Sequence, residues 1–226
     1  QVLREVDAAD ALAADMRARP TGTLRVNAPM TFGTYALVPF VTRYLAKYPE
    51  MRIDLTLNDR FVDLLEDGYD VAIRIGEVGD TSLTIHSLAP YRLIAAASPA
   101  YLAARGIPRT PAELGSHDCL AYAYWSPSIP CRWRFARDGR TEEVQANGRL
   151  RSNDWNAVLR AVQEGFGITL GPESVLDPEI QAGRLVRLLS DYEGPARPMH
   201  VLTSAARRPT ASLRSFVEAV VEEFSD

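Results

Sequence analysis

From Gly22 to Gly76 the chain alternates strand-like and helix-like patterns with short connections, and this alternation restricts the fold more than any other feature. Thr23 to Ala28 reads as a strand with Leu24 and Val26 on one face. The helix that follows carries Leu37, Phe40, Val41, Tyr44, Leu45 and Tyr48 at core spacing. Ile53, Leu55 and Leu57 alternate with polar residues as a second strand. Phe61 to Glu66 reads as a short helix closed by Gly68, and Asp70 to Gly76 as a third strand. Parallel neighbours need a crossover between them, so the order strand, helix, strand, helix, strand predicts a mostly parallel, doubly wound α/β sheet.

The remaining chain extends the pattern. Leu83 to Leu88 and Leu93 to Ala97 are extended segments, and Pro99 opens a helix that runs through Ala104 and ends at Gly106. Thr110, Pro111 and Glu113 have the spacing of an N-cap, a first helical position and a capping-box glutamate. Cys119 to Trp125 and Arg132 to Phe135 are strand-like, and Asp138-Gly139 signals a hairpin with a return strand near Glu143 to Ala146. A strand from Leu150 leads to a cap at Asn153 or Asp154 and a helix with Trp155, Val158, Leu159 and Val162 inward. Ile168 to Leu170 is a strand, a helix through Ile180 ends near Gly183, and Leu185 to Leu189 is again extended. The last helix, Ala211 to Phe224, places Leu213, Phe216, Val217, Val220, Val221 and Phe224 on one stripe. At the other end, Val2, Val6, Ala9, Ala13 and Met16 form a short heptad seam on an exposed helix that stops before Pro20 and Gly22.

Composition narrows the function classes. A chain of 226 residues with 46% hydrophobic and 24% charged residues is long enough for one large domain or two lobes of about 100 residues each. Its formal net charge of -4 lacks the basic footprint of a nucleic-acid-binding surface. Cys119 and Cys131 make no disulfide framework and stand beside no histidine at ligand spacing, which predicts free thiols in a reducing compartment. His86, His117 and His200 are far apart, so no metal is expected. Neither a G-x-S-x-G, a P-loop nor a G-x-G-x-x-G occurs, and no acid, base and nucleophile constellation is visible, so neither an enzyme nor a cofactor is expected. No apolar run approaches the ~20 residues of a membrane span. Gln1 is not an initiator methionine, so residues upstream are expected.

Two turns and one charge stand out as candidate chemistry. NAPMTFG, from Asn27 to Gly33, and RSNDWN, from Arg151 to Asn156, both carry a strand end into a helix start. Unpartnered N–H groups and the helix dipole make such a start suited to an anion, with Thr31 or Asn27 as the alternative, an ordinary cap. Ligands of doubly wound sheets collect beyond the carboxyl ends of strands, which draws attention to Met30, Thr31 and Phe32 and to Ser152 and Asn153. Arg74 is a charge in an otherwise apolar strand and needs a partner, either an internal carboxylate such as Asp70 or Asp59 or a ligand.

The order and spacing of several stretches carry a family resemblance: NAPMTFGTYALVPFVTRYLAKYPEMRIDL, DLLEDGYDVAIRIGEVGDTSL, ASPAYLAARGIPRTPAELGSHDCL, WRF and AVQEGFGITLGPESVLDPEIQAGRLVRLL. Over about residues 20 to 226 the chain resembles the effector-binding domain of LysR-type transcriptional regulators, and residues 1 to 20 resemble part of their linker helix. The resemblance implies a two-lobed α/β fold like type 2 periplasmic binding proteins, with lobe one at about 22–97 plus 199–226 and lobe two at 98–198. It implies a small-molecule effector in an interlobe cleft, walled by Met30, Thr31, Phe32 and Arg74 on one side and Ser152 and Asn153 on the other. The SPSIPC stretch departs from the family pattern, and this Pro-rich loop beside Tyr122, Tyr124 and Trp125 would cover either the cleft, with Tyr124 and Trp125 against the effector, or only the surface. Facing helix starts favour an anionic effector such as an organic acid. The resemblance also implies a cytoplasmic homodimer or homotetramer that reaches DNA only through a winged helix-turn-helix upstream of this chain. Its dimer would pair the helix at Thr34 to Lys47 and the strand at Arg52 to Leu57 with the helix at Glu173 to Ile180. The alternatives are an exported solute-binding protein and a two-lobed enzyme of the same architecture.

Overall fold

The structure is a computed structural model that describes residues 19–60, 64, 66–79, 82–122, 131–206 and 209–225. The expected heptad helix at 1–17, most of the short helix at 61–66, and Tyr124 and Trp125 lie outside the described residues. In chain order the elements are β1 (Gly22–Ala28), α1 (Met30–Phe32), a π-helical turn (Gly33–Leu37), α2 (Val38–Lys47), β2 (Met51–Leu57), β3 (Val71–Ile75) and β4 (Leu83–Ala97). There follow α3 (Pro99–Arg105), a 3-10 turn (Pro111–Ser116), β5 (Cys119–Tyr122), β6 (Arg132–Arg137), β7 (Arg140–Gln145), β8 (Arg151–Ser152) and α4 (Trp155–Gln163). The chain closes with β9 (Ile168–Pro172), α5 (Glu173–Gln181), β10 (Val186–Leu188), β11 (Ala196–Ser204) and α6 (Ala211–Phe224).

The chain divides into two units. Unit one ends at Pro90 and resumes at Pro198; unit two is Tyr91–Arg197. The first boundary falls inside β4, which is one 15-residue strand where the sequence pattern suggested two extended segments. A proline stands at each crossing, Pro90 and Pro198, and a proline cannot donate to a strand ladder.

In unit one β1 pairs parallel with both β2 and β3, and β11 pairs antiparallel with β3. The sheet is therefore mixed rather than mostly parallel, because the returning strand β11 joins it in the opposite direction. Leu24, Val26, Val71, Ile73 and Val201 are buried in this sheet. An aromatic cluster binds α2 to α6: Phe40 lies 6.0 Å from Phe216 and 5.6 Å from Phe224, and Tyr44 meets Phe216 edge-on at 5.3 Å. Each such pair adds roughly 0.5–1.5 kcal/mol beyond its burial. Gly33 permits the close approach of the π-helical turn to β2, since a Cβ there would lie 2.2 Å from Leu57 Cδ2.

In unit two β9 lies antiparallel to β4 and parallel to β5, which pairs parallel with β8. Trp155, Val158, Leu159 and Val162 of α4 pack with Ile94, Ala96, Leu120 and Leu176 in one core. A second core gathers Tyr101, Leu114, Cys119, Trp133 and Phe135. β6 and β7 form the expected hairpin, with Asp138 at φ 51° and Gly139 at φ 73° in its two-residue turn. The expected capping box at Thr110 forms differently: Glu113 accepts the Arg109 N–H at 2.9 Å and the Thr110 hydroxyl at 3.2 Å, and the segment closes as a 3-10 turn.

Candidate functional site

Unit one brings the carboxyl ends of parallel β1, β2 and β3 together, and the β1–α1 turn stands beyond them. The helix start is not capped by Thr31 or Asn27. Pro29 occupies the N-cap position without a side-chain bond, and the first intrahelical bond runs from the Gly33 N–H to the Pro29 carbonyl at 2.7 Å. Asp59 Oδ1 instead accepts the Met30 N–H at 3.0 Å. Met30 is exposed, Thr31 is half-buried, and Phe32 is buried edge-on against Phe224 at 5.1 Å, so its ring belongs to the core of unit one. Asn27 turns inward at full burial and donates from Nδ2 to the Thr56 carbonyl at 3.3 Å.

Arg74 is 9% exposed and donates from Nη1 to the Ile73 carbonyl at 2.9 Å. Asp70, one of its expected partners, accepts the Arg25 N–H at 2.8 Å. The strand register sets Arg74 opposite His200 and Asn27 opposite Ala72. Asn27, Arg74 and His200 therefore share one face of the sheet, near the carboxyl ends of β1 and β3. Asn27 Oδ1, Asn58 Oδ1 and His200 Nδ1 are buried and have no hydrogen-bond partner among the described residues.

Unit two presents the second turn. Ser152 is half-buried at the end of β8 and its Oγ accepts the Asp154 N–H at 3.0 Å; Asn153 is exposed. Asp154 is the N-cap of α4 and accepts the Asn156 N–H at 2.9 Å. Trp155, the first residue of α4, is 3% exposed and its indole Nε1 has no hydrogen-bond partner among the described residues. The sequence pattern left Asn58 unnoticed and suggested Asn27 only as a cap, Asp59 only as a partner of Arg74 and Trp155 only as an inward helix residue. Asn27 alternates with exposed Thr23 and Arg25, opposite Leu24 and Val26, so its burial, like the contacts of the others, depends on residues remote in sequence.

Burial pushes the Cys119 thiol up to about 12, aided by Asp118, and burial raises Cys131 against the pull of a hydrogen bond from Trp133. Both are thiols at neutral pH and poor nucleophiles. No group of three metal-binding side chains occurs among the described residues. A concavity of about 470 Å³ on the hairpin side of unit two is lined by Ala136, Arg137, Asp138, Asp191 and Glu193 and includes none of the residues singled out above.

The division into two α/β units agrees with comparison to known proteins. The family model for the LysR substrate binding domain matches residues 17–225. The chain belongs to that family. It is the effector-binding domain of a LysR-type transcriptional regulator, with the type 2 periplasmic-binding-protein-like fold. It is 33% identical over 226 residues to the HTH-type transcriptional regulator PtxR of Pseudomonas aeruginosa, covering 98% of this chain and 70% of that protein. It is 32% identical over 177 residues to the HTH-type transcriptional activator TtdR of Escherichia coli, covering 78% of this chain and 57% of that protein. Among solved structures, CrgA of Neisseria meningitidis superposes with a TM-score of 0.83 at 26% identity, covering all of this chain and 76% of the other. The regulatory domain of AphB of Vibrio vulnificus gives 0.76 at 27% identity, covering 91% of this chain and 100% of that one. No helix among the described residues is long and apolar enough to cross a membrane.

Proposed function

We propose that this LysR-type domain senses a small organic acid, for which the β1–α1 turn of unit one and the β8–α4 turn of unit two are each a candidate contact. The observation that carries the reading is the position of both turns: each opens a helix beyond the carboxyl ends of parallel strands, where α/β folds collect ligands. Half-buried Thr31 and Ser152 supply hydroxyls there, and buried Arg74 supplies positive charge at the same end of the unit-one sheet. Two carboxylates stand at these turns: Asp59 accepts the Met30 N–H, and Asp154 accepts the Asn156 N–H and side-chain amide.

In this reading the effector binds one arrangement of the two units better than another and shifts the population toward it. The shift can be no larger than the difference in affinity for the two states. DNA contact belongs to a winged helix-turn-helix of the whole regulator, because 226 residues of net charge -4 lack the lysine and arginine contacts that dominate duplex affinity. The effector domains of two copies pair symmetrically.

A thermal-shift screen with acetate, benzoate, succinate and citrate tests the reading. An acid at 100 times its dissociation constant adds about 2.7 kcal/mol of stability. Thr31→Trp should remove that gain while the domain keeps its own melting transition. If the acids leave the wild type unmoved, the organic-acid reading is wrong.

A further inference from the structure

We infer that the indole N–H of Trp155 is the donor with which unit two takes an acceptor oxygen of the effector. The inference rests on the organic-acid reading and adds to it one residue and one bond. Trp155 is 3% exposed, and Nε1 is buried with no hydrogen-bond partner among the described residues. A buried tryptophan usually finds a partner for its N–H, and a donor left without one is costly. Where only apolar bulk is required, phenylalanine fills the space without that cost.

The surroundings hold the ring in place. A Cβ on Gly171 would come within 1.8 Å of Trp155 Cη2, so the glycine of β9 makes room for the six-membered ring. Tyr122 meets the indole edge-on at 6.3 Å and 75°. In the β5–β8 register Tyr122 is the neighbour of Ser152, which places both residues on one face of the sheet. Tyr122 is the last residue of β5, Ser152 the last of β8 and Gly171 the next to last of β9. The indole is thus wedged at the carboxyl ends of three mutually parallel strands, at the start of a nine-residue helix whose dipole favours negative charge.

Asp154 does not stand in for the missing acceptor: its Oδ1 is engaged by the Asn156 backbone and side chain at 2.9 and 3.0 Å, on the exposed side of α4. The Ser152 Oγ, which accepts from Asp154, keeps its own proton to give. Ser152 and Trp155 therefore each keep a donor at this end of the unit-two sheet. Trp133 shows the contrast, because its side chain is hydrogen-bonded to Cys131.

The test uses the 226-residue chain and Trp155→Phe, with acetate, benzoate, succinate and citrate as probes. The acid that most stabilises the wild type should bind Trp155→Phe about tenfold to a hundredfold more weakly by calorimetry, as expected for loss of a hydrogen bond to a charged group. The indole proton missing from the variant's 1H–15N spectrum identifies the Trp155 signal. In the wild type that signal should move on titration and saturate with the calorimetric dissociation constant, while the Trp133 signal stays in place. This spectrum also serves if Trp155→Phe fails to fold, since Trp155→His then supplies the missing signal. Equal affinity of the variant, or an unmoved Trp155 signal while the acid binds, overturns the inference and leaves the organic-acid reading standing. An indole proton slow to exchange and indifferent to a bound acid means that a buried water is its partner and overturns the inference in the same way. If no acid stabilises the wild type, both fall.

Discussion

Asp59 Oδ1 accepts the Met30 N–H at 3.0 Å, so a carboxylate from the end of β2 sits at the start of the helix that follows β1. An effector anion arriving at that helix start meets a charge of its own sign. Asp59→Asn keeps an acceptor oxygen and removes the charge. Loss of the favourable dipole contact should cost about 0.3–1 kcal/mol in urea denaturation. The same change should tighten binding of the stabilising acid in calorimetry. Weaker binding would place the anion elsewhere.

Stability should depend on pH through His117. The Tyr101 hydroxyl accepts the Asp118 N–H at 3.0 Å and lies within hydrogen-bond distance of His117 Nδ1, at 3.1 Å. Burial, and then the Arg105 charge, hold the His117 pKa below 6.5. Between that lowered value and 6.5 the unfolded chain binds more protons than the folded one, so stability rises with pH across this window. The contribution is complete above 6.5 and is lost as pH falls toward the folded-state pKa. Denaturation midpoints at pH 7.5 and 5.5 should differ more for the wild type than for His117→Gln; equal differences would exclude His117 as the source.

Gly171→Ala tests the packing that orients Trp155. The added methyl meets a rigid ring at 1.8 Å, and overpacking of this kind costs about 1–3 kcal/mol. The variant should denature earlier in urea and shift the Trp155 indole resonance. A variant as stable as the wild type would show that the ring can move aside.

Removing residues 1–20 should leave a dimer. Tyr35 and Val38 are exposed, at 36% and 38%, in the helical segment that follows β1. Light scattering at tens of micromolar should report a dimer for the truncated chain and a monomer after Val38→Glu. A truncated monomer would assign dimerisation to the seam.

Local pattern was enough for the elements whose cause is local. The apolar stripe of α6 predicts Ala211 to Phe224, the bounds that the helix has, because i, i+3 and i+4 neighbours decide which face is buried. Asp138-Gly139 predicts the β6–β7 turn, because few other pairs accept positive φ at both positions. Recognition of the family likewise needed only the order and spacing of motifs. Pairing between distant segments was decided by the tertiary structure. The direction in which β11 joins β3, the fusion of two extended segments into β4, and the replacement of a Thr31 or Asn27 cap by Asp59 all depend on residues far apart in the chain. The candidate site divides the same way. Ser152 and Asn153 were visible as a strand end running into a helix start. The unpartnered atoms of Asn27, Asn58 and Trp155 were not, because whether a buried polar atom finds a partner is set by what the rest of the fold packs against it.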